Sequence, residues 1–230
     1  MFDINNEFYK LSKDIDINKF EIYFKELVEY NEKVNLTAIT EKEEVFIKHF
    51  YDSCLSCEFI PNNAKVVDVG TGAGFPGVPL KIARKDIQLH LVDSLNKRII
   101  FLEYLKEKLN IDYQTTHSRA EDYCLNANNR EGFDVCVSRA VAKLNTLTEY
   151  CLPLVKVGGL FIAYKGSNIE LEVKESEKAI SILGGKIQEI RKIDLPQDKG
   201  ERNLIIIKKI KNTPNKYPRN KNLPKSKPLT

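Results

Sequence analysis

The first sixty residues carry apolar side chains at the spacing of a helix. Four of them fall on one helical face: Phe20, Phe24, Leu27 and Val28. Thr40 and Glu43 form a capping box, which predicts a second helix that starts at Thr40 and continues through Phe50. Residues 1–63 are therefore predicted to be a helical N-terminal region without strands.

From residue 64 onwards, short β-branched runs alternate with amphipathic segments. Strands are predicted over 65–69, 88–92, 112–116, 133–138, 159–164, 186–193 and 203–209, and helices over 78–84, 95–109, 144–152 and 169–183. This alternation predicts a largely parallel, doubly wound α/β sheet. The connection over 194–202 is too short for a helical crossover, so the last two strands are predicted to be antiparallel. Seven strands with a terminal antiparallel hairpin resemble the Rossmann-like class I S-adenosylmethionine-dependent methyltransferase sheet, here over residues 64–211.

The composition is that of a globular chain. Of the 230 residues, 42% are apolar and 30% are charged, which excludes fibrous and wholly disordered proteins. No segment approaches the roughly 20 apolar residues of a membrane helix, and the N terminus does not read as a secretory signal, so we expect a cytoplasmic protein. Cys54 and Cys57 form a C-x-x-C pair without a second pair at zinc-ligand spacing, so we expect them to pack as thiols and expect no metal site.

The net charge of +4 is unevenly distributed. Residues 210–230 contain four prolines and no acidic residue, which predicts an extended, mobile basic tail, set apart here as residues 212–230. The cations of this segment are Lys211, Lys216, Arg219, Lys221, Lys225 and Lys227. Such a tail is either a solvated terminus or a contact surface for nucleic-acid phosphates.

The most informative segment is VVDVGTGAGFPGVP, over 66–79, in which a buried strand runs into a glycine-rich turn. Gly70, Gly72 and Gly74 permit positive φ and let the backbone approach a nucleotide-like ligand. Asp93 ends the next strand, where a carboxylate can accept both hydroxyls of a ribose. The fingerprint of nicotinamide and flavin binders also fits these glycines, but it would leave Gly70 and Thr71 surplus at the strand end. A purely structural glycine turn is the other alternative.

The ends of the later strands carry further candidates. Ala120 and Glu121 follow the third strand and are placed to flank an adenine, although a solvated helix start capped by Ser118 explains the same residues. Arg139 and Lys165 end the fourth and fifth strands, where a buried cation needs an anion or a polar ring to bind, although either could instead pair with a surface carboxylate. Acidic general-base candidates are absent from the ends of the fourth and fifth strands.

Taken together, these motifs resemble the family of the bacterial small-subunit ribosomal RNA methyltransferase G, also called glucose-inhibited division protein B. The resemblance covers nearly the whole chain and is carried by VNLT (34–37), KHFYDS (48–53), DVGTGAGFPG (68–77), VDS (92–94), RAE (119–121), SRA (138–140), KG (165–166), RNL (202–204), YPR (217–219) and PL (228–229). One departure is visible after YPR, where the family usually has a glycine and this chain has Asn220, Lys221 and Asn222. Asparagine tolerates positive φ, so a turn is still expected there.

The resemblance implies methyl transfer from S-adenosylmethionine to N7 of a guanine in 16S ribosomal RNA, which is guanine 527 of the 530 loop in that family. It implies cofactor contacts at Gly70, Phe75, Asp93, Ala120, Glu121 and Arg139. RNA contacts are expected at Lys165, Arg202, Lys211, Lys216, Arg219 and Lys221. The expected partner is 16S ribosomal RNA or the small-subunit particle, and the protein is expected to act as a monomer.

The implied chemistry agrees with the residues. Guanine N7 carries a free lone pair, so its methylation needs no general base. Arg139 and Lys165 are the candidate catalytic residues, because a cation on guanine O6 would orient the base without blocking N7. His49 lies among apolar residues and is interpreted as a packed rather than a catalytic histidine. The alternatives are a methyltransferase for another RNA or a small molecule, and a ribosome-associated RNA-binding protein with a vestigial cofactor cavity.

Overall fold

The N-terminal region is helical in the computed structural model, which describes residues 3–13, 15–220 and 222–229. It contains α1 (Ile4–Leu11), α2 (Ile17–Val34), α3 (Lys42–Val45), a π-helix (Phe46–Tyr51), α4 (Asp52–Cys54) and a 3₁₀ turn (Cys57–Phe59). The predicted start at Thr40 is wrong. Glu41 is the N-cap, and its carboxylate accepts the backbone N–H groups of Glu43 at 3.1 Å and Glu44 at 2.9 Å.

Seven strands form one sheet: β1 (Lys65–Val69), β2 (Gln88–Asp93), β3 (Gln114–His117), β4 (Phe133–Arg139), β5 (Val155–Lys165), β6 (Gly185–Asp194) and β7 (Glu201–Lys209). Their order is β3-β2-β1-β4-β5-β7-β6. The pairs among β1 to β5 are parallel, and β7 is antiparallel to both β5 and β6. The predicted mostly parallel sheet with a terminal antiparallel hairpin is therefore confirmed.

Helices connect the parallel strands on both faces of the sheet. They are α5 (Gly77–Ala83), α6 (Asn96–Leu109), α7 (Ala120–Leu125), α8 (Leu144–Cys151) and α9 (Glu170–Ile182). The parallel strands all point to one edge, so the loops that follow β1, β2, β3 and β4 meet there. None of the helices in the described part of the chain combines the length and apolarity needed to cross a bilayer.

The helical N-terminal region shares a hydrophobic core with one face of the sheet. Phe20 stacks on Phe50 at 5.0 Å between ring centroids, and both belong to the same buried cluster as Val66 and Val135 of the sheet. A second cluster covers the opposite face, as the alternation of side chains along each strand requires. The shared core fixes the π-helix and α4 beside the carboxyl edge of the sheet.

The segment after β7 packs against the sheet domain, so the prediction of an extended, mobile tail is wrong. Thr213 is 3% exposed and Tyr217 is 7% exposed. A short helix, α10 (Leu223–Ser226), follows Asn222, whose φ of +62° confirms that asparagine supplies a left-handed turn here. The prolines exclude a long helix but do not prevent docking, because side chains of the body satisfy the segment's backbone groups.

Candidate functional site

A cavity of about 450 Å³ opens at the carboxyl ends of β1, β2 and β4. Open α/β sheets bind ligands at this edge, and the volume lies within the usual range of small-molecule sites. Four predicted cofactor residues line the cavity: Gly70, Asp93, Ala120 and Glu121. The other four predicted cofactor residues do not line it: Gly72, Gly74, Phe75 and Arg139.

The glycine turn is held against the end of β2. The N–H groups of Gly70 and Thr71 donate to the carbonyl of Val92 at 2.8 and 3.2 Å. Gly70 has a φ of +71°, and a Cβ added there would lie 2.4 Å from the side chain of Val141. Gly72 has a φ of +62°, and a Cβ added there would meet no atom within 4 Å. The turn thus needs glycine for backbone conformation at both positions, and at Gly70 also for close approach of the loop after β4.

Asp93 is 2% exposed and links the glycine turn to the following helix. Its carboxylate accepts the N–H of Gly72 at 2.9 Å, the N–H of Leu95 at 2.9 Å and the guanidinium of Arg98 at 3.1 Å. An ionised carboxylate offers about four acceptor sites, so capacity for a ligand hydroxyl remains. The pairing with Arg98 was not anticipated from the sequence, where Arg98 reads as one cation of an amphipathic helix.

Asp68, at the end of β1, is a buried acid with an unsatisfied oxygen. Its Oδ2 accepts the hydroxyl of Thr71 at 2.7 Å and the N–H of Gly77 at 2.8 Å. Its Oδ1 is buried without a hydrogen-bond partner among the described residues. Burial raises the pKa of Asp68 to about 7. Asp68 has 0% exposure and is not among the residues that line the cavity.

The start of α7 forms the wall beyond β3. Ser118 does not act as its cap: the N-cap is Arg119, and the Ser118 hydroxyl donates to the Arg119 carbonyl. The carboxylate of Glu121 is 4% exposed in its side chain and accepts Nε of Arg119 at 3.0 Å. Ala120 and Glu121 both line the cavity, as the ligand-binding interpretation predicts and a merely solvated helix start does not.

Arg139 forms an ion pair with a buried acid of the helical N-terminal region, Asp52, which was not among the acids considered at the strand ends. Asp52, with 0% exposure, accepts Nη1 of Arg139 at 2.6 Å through Oδ2 and Nε of Arg202 at 2.6 Å through Oδ1. The Arg139 guanidinium also donates to the carbonyl of Lys48 at 3.2 Å. This Asp52 cluster (Asp52, Arg139 and Arg202) ties the helical region to the ends of β4 and β7. Asp52 lies within KHFYDS, so the only sequence signal was an aspartate among the buried residues of a predicted helix.

Phe75 packs at the same junction between the helical N-terminal region and the end of β4. Its ring stacks on His49 at 4.6 Å and on Tyr23 at 5.4 Å, and the Arg139 guanidinium carbon lies 5.0 Å from its centroid. A Cβ at Gly74 would lie 2.6 Å from the Tyr23 hydroxyl oxygen, so Gly74 serves this packing rather than the cavity. Burial, with the charge of Arg139 adding to it, lowers the pKa of His49 to about 3. His49 is therefore neutral at every physiological pH and is a weak proton acceptor.

Lys165 is bonded to protein acceptors. Its ammonium donates to the Ala142 carbonyl at 2.7 Å and to Oε1 of Glu172 at 2.7 Å, with 13% of its side chain exposed. The same Glu172 oxygen accepts the N–H of Leu144 at 2.5 Å. Lys165 and Glu172 thus hold the loop after β4 at two points, and Ala142 of that loop lines the cavity.

The expected RNA-binding cations differ in their surroundings. Arg202 and Arg219 are paired with the buried acids Asp52 and Glu149. Lys211 and Lys216 are exposed, and Lys221 lies outside the described residues. Of the expected RNA-binding cations that the structure describes, Lys211 and Lys216 are therefore the exposed ones that can meet phosphates.

The C-x-x-C pair is buried. Cys54 and Cys57 are free thiols with 0% and 4% exposure, and burial raises the pKa of Cys54 well above its usual value. Among the described residues, no group of three or more acidic, histidine or cysteine side chains is arranged to hold a metal ion.

Comparisons with known proteins agree with this geometry. Residues 16–205 match the model of the rRNA small subunit methyltransferase G (GidB) family. The chain is 51% identical over 219 residues to the ribosomal RNA small subunit methyltransferase G of Clostridium novyi (strain NT), covering 94% of this chain and 90% of that protein. It is 47% identical over 216 residues to the protein of the same name from Bacillus subtilis (strain 168), covering 93% of this chain and 90% of that protein.

Solved structures resemble the fold at low sequence identity. An O-methyltransferase from Bacillus cereus in complex with SAH superposes with a TM-score of 0.56 at 15% identity, covering 80% of this chain and 89% of that chain. A ribosomal protein L11 methylase from Lactobacillus delbrueckii subsp. bulgaricus gives a TM-score of 0.55 at 17% identity, covering 71% of this chain and 79% of that chain. These two likenesses concern the fold alone.

Proposed function

Because the chain belongs to the rRNA small subunit methyltransferase G family, we propose that it transfers a methyl group from S-adenosylmethionine to N7 of a guanine in 16S ribosomal RNA. The observation that carries the proposal is a single cavity in which the glycine turn meets two buried acids, Asp93 and Glu121. The substrate is 16S ribosomal RNA or the small-subunit particle. The reaction is cytoplasmic, carried out by a monomer and free of metal.

The residues of the cavity fit this cofactor. Asp93 retains acceptor capacity for one ribose hydroxyl, and Ala120 and Glu121 flank the place for the adenine. Asp68 does not line the cavity, but it precedes the lining residues Val69 and Gly70 and carries a buried oxygen without a partner among the described residues. The ammonium of the methionyl group is a cation that would satisfy this oxygen. We assign the ribose to Asp93, the adenine side to Ala120 and Glu121, and the ammonium to Asp68, with Gly70 and Gly72 giving backbone access.

The cofactor supplies a methyl group that is electrophilic because it is bonded to a positively charged sulfur. The chain's task is to hold guanine N7 in line with that methyl, and such alignment contributes about 7 to 11 kcal/mol in favourable intramolecular systems. No residue has to remove a proton, since N7 is methylated through a free lone pair. His49 remains neutral, and Asp52 is committed to two arginines, which agrees with a mechanism without a general base.

Arg139 and Lys165 are proposed to act by positioning. Arg139 fixes the helical region to the end of β4, and Lys165 fixes the loop after it. Both cations are bonded to protein acceptors, so the contact of one of them with guanine O6 stays a prediction. The geometry supports a role in shaping the space between cofactor and base.

A direct test of the function is methylation of 16S RNA in vitro. Purified protein, S-adenosylmethionine and either naked 16S RNA or small subunits from a strain lacking the gene are incubated, and modified nucleosides are identified by mass spectrometry. One N7-methylguanosine at a single position is expected. A different methylated atom would support the methyltransferase alternatives. Failure of the protein to bind S-adenosylmethionine would support an RNA-binding protein with a vestigial cavity.

Cofactor affinity is expected to depend on pH through Asp68. The pKa of this carboxyl is raised to about 7, so it is mostly neutral below that pH and mostly ionised above it. Since the ionised form attracts an ammonium, affinity for S-adenosylhomocysteine should rise by about tenfold between about pH 6 and about pH 8. Isothermal titration calorimetry across this range measures the change.

Two controls accompany this pH series. Adenosine lacks the ammonium and should bind with little pH dependence, as should S-adenosylhomocysteine to Asp68→Asn. The single-turnover transfer rate at saturating cofactor should stay flat over the same range, because the pKa of His49 is about 3. A sigmoid rate profile that disappears in His49→Ala would contradict the mechanism without a base.

Replacement of Lys165 by alanine is expected to slow methyl transfer far more than it weakens cofactor binding. The change frees the Ala142 carbonyl and Glu172, each held by a charge-assisted bond of about 1.5 kcal/mol or more, so the loop after β4 loses its position. Single-turnover transfer should fall about tenfold, and affinity for S-adenosylhomocysteine should fall much less, because Lys165 reaches the cavity lining through the Ala142 carbonyl. Lys165→Arg should recover part of the rate, and Lys143→Ala, whose side chain is 73% exposed, should behave like the wild type. Equal losses in Lys143→Ala and Lys165→Ala would refute the positioning role.

A further inference from the structure

The segment after β7, here called the C-terminal strap (residues 212–220 and 222–229), is anchored by buried charged groups. Lys209, with 0% exposure, donates to the Leu152 carbonyl at 2.6 Å and to the hydroxyl of Thr213 at 2.6 Å. Glu131 accepts the N–H of Thr213 at 2.8 Å and also the side-chain amide of Asn212. A solvated tail would not need such contacts, because water would satisfy its backbone groups.

A second set of anchors holds the middle of the strap. Arg130 donates to the carbonyls of Tyr217 at 2.7 Å and Thr213 at 2.8 Å. Arg219 donates to Glu149 of α8 through its backbone N–H at 2.8 Å and through its guanidinium at 2.7 Å, and Glu149 is fully buried. Arg219 is thus a structural anchor of the strap, which weighs against its expected role in RNA binding.

These anchors position the end of the strap beside the cofactor cavity. The carbonyl of the buried Pro224 accepts the hydroxyl of Thr146 at 3.0 Å, which fixes α10 on α8. Asn222 and Lys225 then line the cavity together with Ala120 and Glu121. A wall of the cavity is therefore supplied by a segment more than a hundred residues away in sequence from the glycine turn.

The chemistry of this wall suits a purine edge. The Asn222 amide carries both a donor and an acceptor, the pair that matches the amino group and the adjacent ring nitrogen of an adenine. Lys225 offers three donors and forms no ion pair with any described residue, although the cavity beside it holds Glu121. An unpaired cation next to an adenine site can donate to a second ring nitrogen.

We propose that the C-terminal strap is the adenine wall of the cofactor site, with Asn222 and Lys225 as cofactor-binding residues rather than RNA contacts. The inference rests on the proposed function, because it takes S-adenosylmethionine as the ligand of the cavity. It assigns one cation of a basic segment, Lys225, to nucleoside recognition. The strap then sets the affinity and the base specificity of the cofactor site.

Two variants test the proposal without disturbing the anchors. Lys225→Ala removes an exposed cation, and Asn222→Gly removes the amide while allowing the φ of +62°. Each should weaken binding of S-adenosylhomocysteine by about three- to tenfold in calorimetry. The matched control is Lys227→Ala, which removes an exposed cation of the same strap that does not line the cavity and should leave this affinity unchanged.

The base specificity provides a second readout. S-inosylhomocysteine lacks the 6-amino group of adenine, so the wild type should bind it more weakly than S-adenosylhomocysteine, and Asn222→Gly should lose most of this discrimination. Affinity for 16S RNA, measured by filter binding at two salt concentrations, should change equally little in Lys225→Ala and Lys227→Ala. Unchanged cofactor affinity in both strap variants, or a loss confined to RNA binding, would overturn the proposal.

This outcome is separable from the proposed function. If the wild-type protein binds S-adenosylhomocysteine and methylates 16S RNA while the strap variants bind the cofactor normally, only the strap proposal fails. If the wild type binds no S-adenosylhomocysteine, the proposed function fails whatever the variants do. Melting temperatures within a few degrees of the wild type confirm that the variants are folded.

Discussion

Replacement of Asp52 by asparagine is expected to destabilise the fold and nearly abolish methyl transfer. Asp52 is fully buried and is the acceptor shared by Arg139 and Arg202, each at 2.6 Å. The variant leaves two guanidinium groups without their counter-charge, and its amide N–H₂ faces a donor. Removing one partner of a buried ion pair costs about 3 to 5 kcal/mol of unfolding free energy. Urea denaturation measures this loss.

Methyl transfer should fall by about a hundredfold or more in the same variant. Arg139 would lose its ion pair with Asp52, which holds the helical region against the end of β4. A single-turnover assay at a temperature where the variant is folded measures the rate. The matched control is Asp112→Asn, in which an aspartate that is 95% exposed and paired with Lys106 is changed in the same way. An exposed pair contributes about 1 kcal/mol at most, so the control should behave like the wild type. Equal behaviour of the two variants would disprove the role given to Asp52.

Replacement of Asp93 by alanine is expected to weaken cofactor binding by about a hundredfold. A hydrogen bond to a charged group contributes about 1.5 to 3 kcal/mol, and the carboxylate is assigned one ribose hydroxyl. The alanine also releases the N–H of Gly72, so the glycine turn loses the contact that holds it beside β2. Calorimetric titration with S-adenosylhomocysteine gives the affinity, and circular dichroism checks that the sheet remains.

Two further variants refine this result. Asp93→Asn keeps an acceptor for Gly72 but loses the charge, so its affinity should fall between the wild type and Asp93→Ala. Asp122→Ala removes an exposed acid of α7 that does not line the cavity and should leave binding unchanged. Wild-type affinity in Asp93→Ala would mean that the ribose is held by other groups.

The sequence predicted the sheet and the core of the cavity because both depend on local patterns. β-branched runs alternating with amphipathic segments define parallel strands, and parallel strands bring their carboxyl ends to one edge whatever the rest of the chain does. Gly70 and Asp93 stand at the ends of neighbouring strands, so their meeting in one cavity followed from the strand assignment alone. The helix cap was missed because Thr40 and Glu41 offer competing cap side chains one residue apart, and only the local backbone decides between them.

The surroundings of the charged residues were decided only by the tertiary structure. Asp52 meets Arg139 across 87 positions and Arg202 across 150, and the composition around any of the three gives no sign of the others. The basic segment after β7 was predicted to be an extended tail because prolines and lysines are typical of solvated chains, yet Glu149 meets Arg219 across 70 positions and docks it. Local periodicity is a property of neighbouring residues, and the sequence therefore determined the elements, the sheet and the glycine turn. The stability of a buried charge depends on a distant partner at hydrogen-bond distance, so only the folded chain decided which cations are anchors and which face the site.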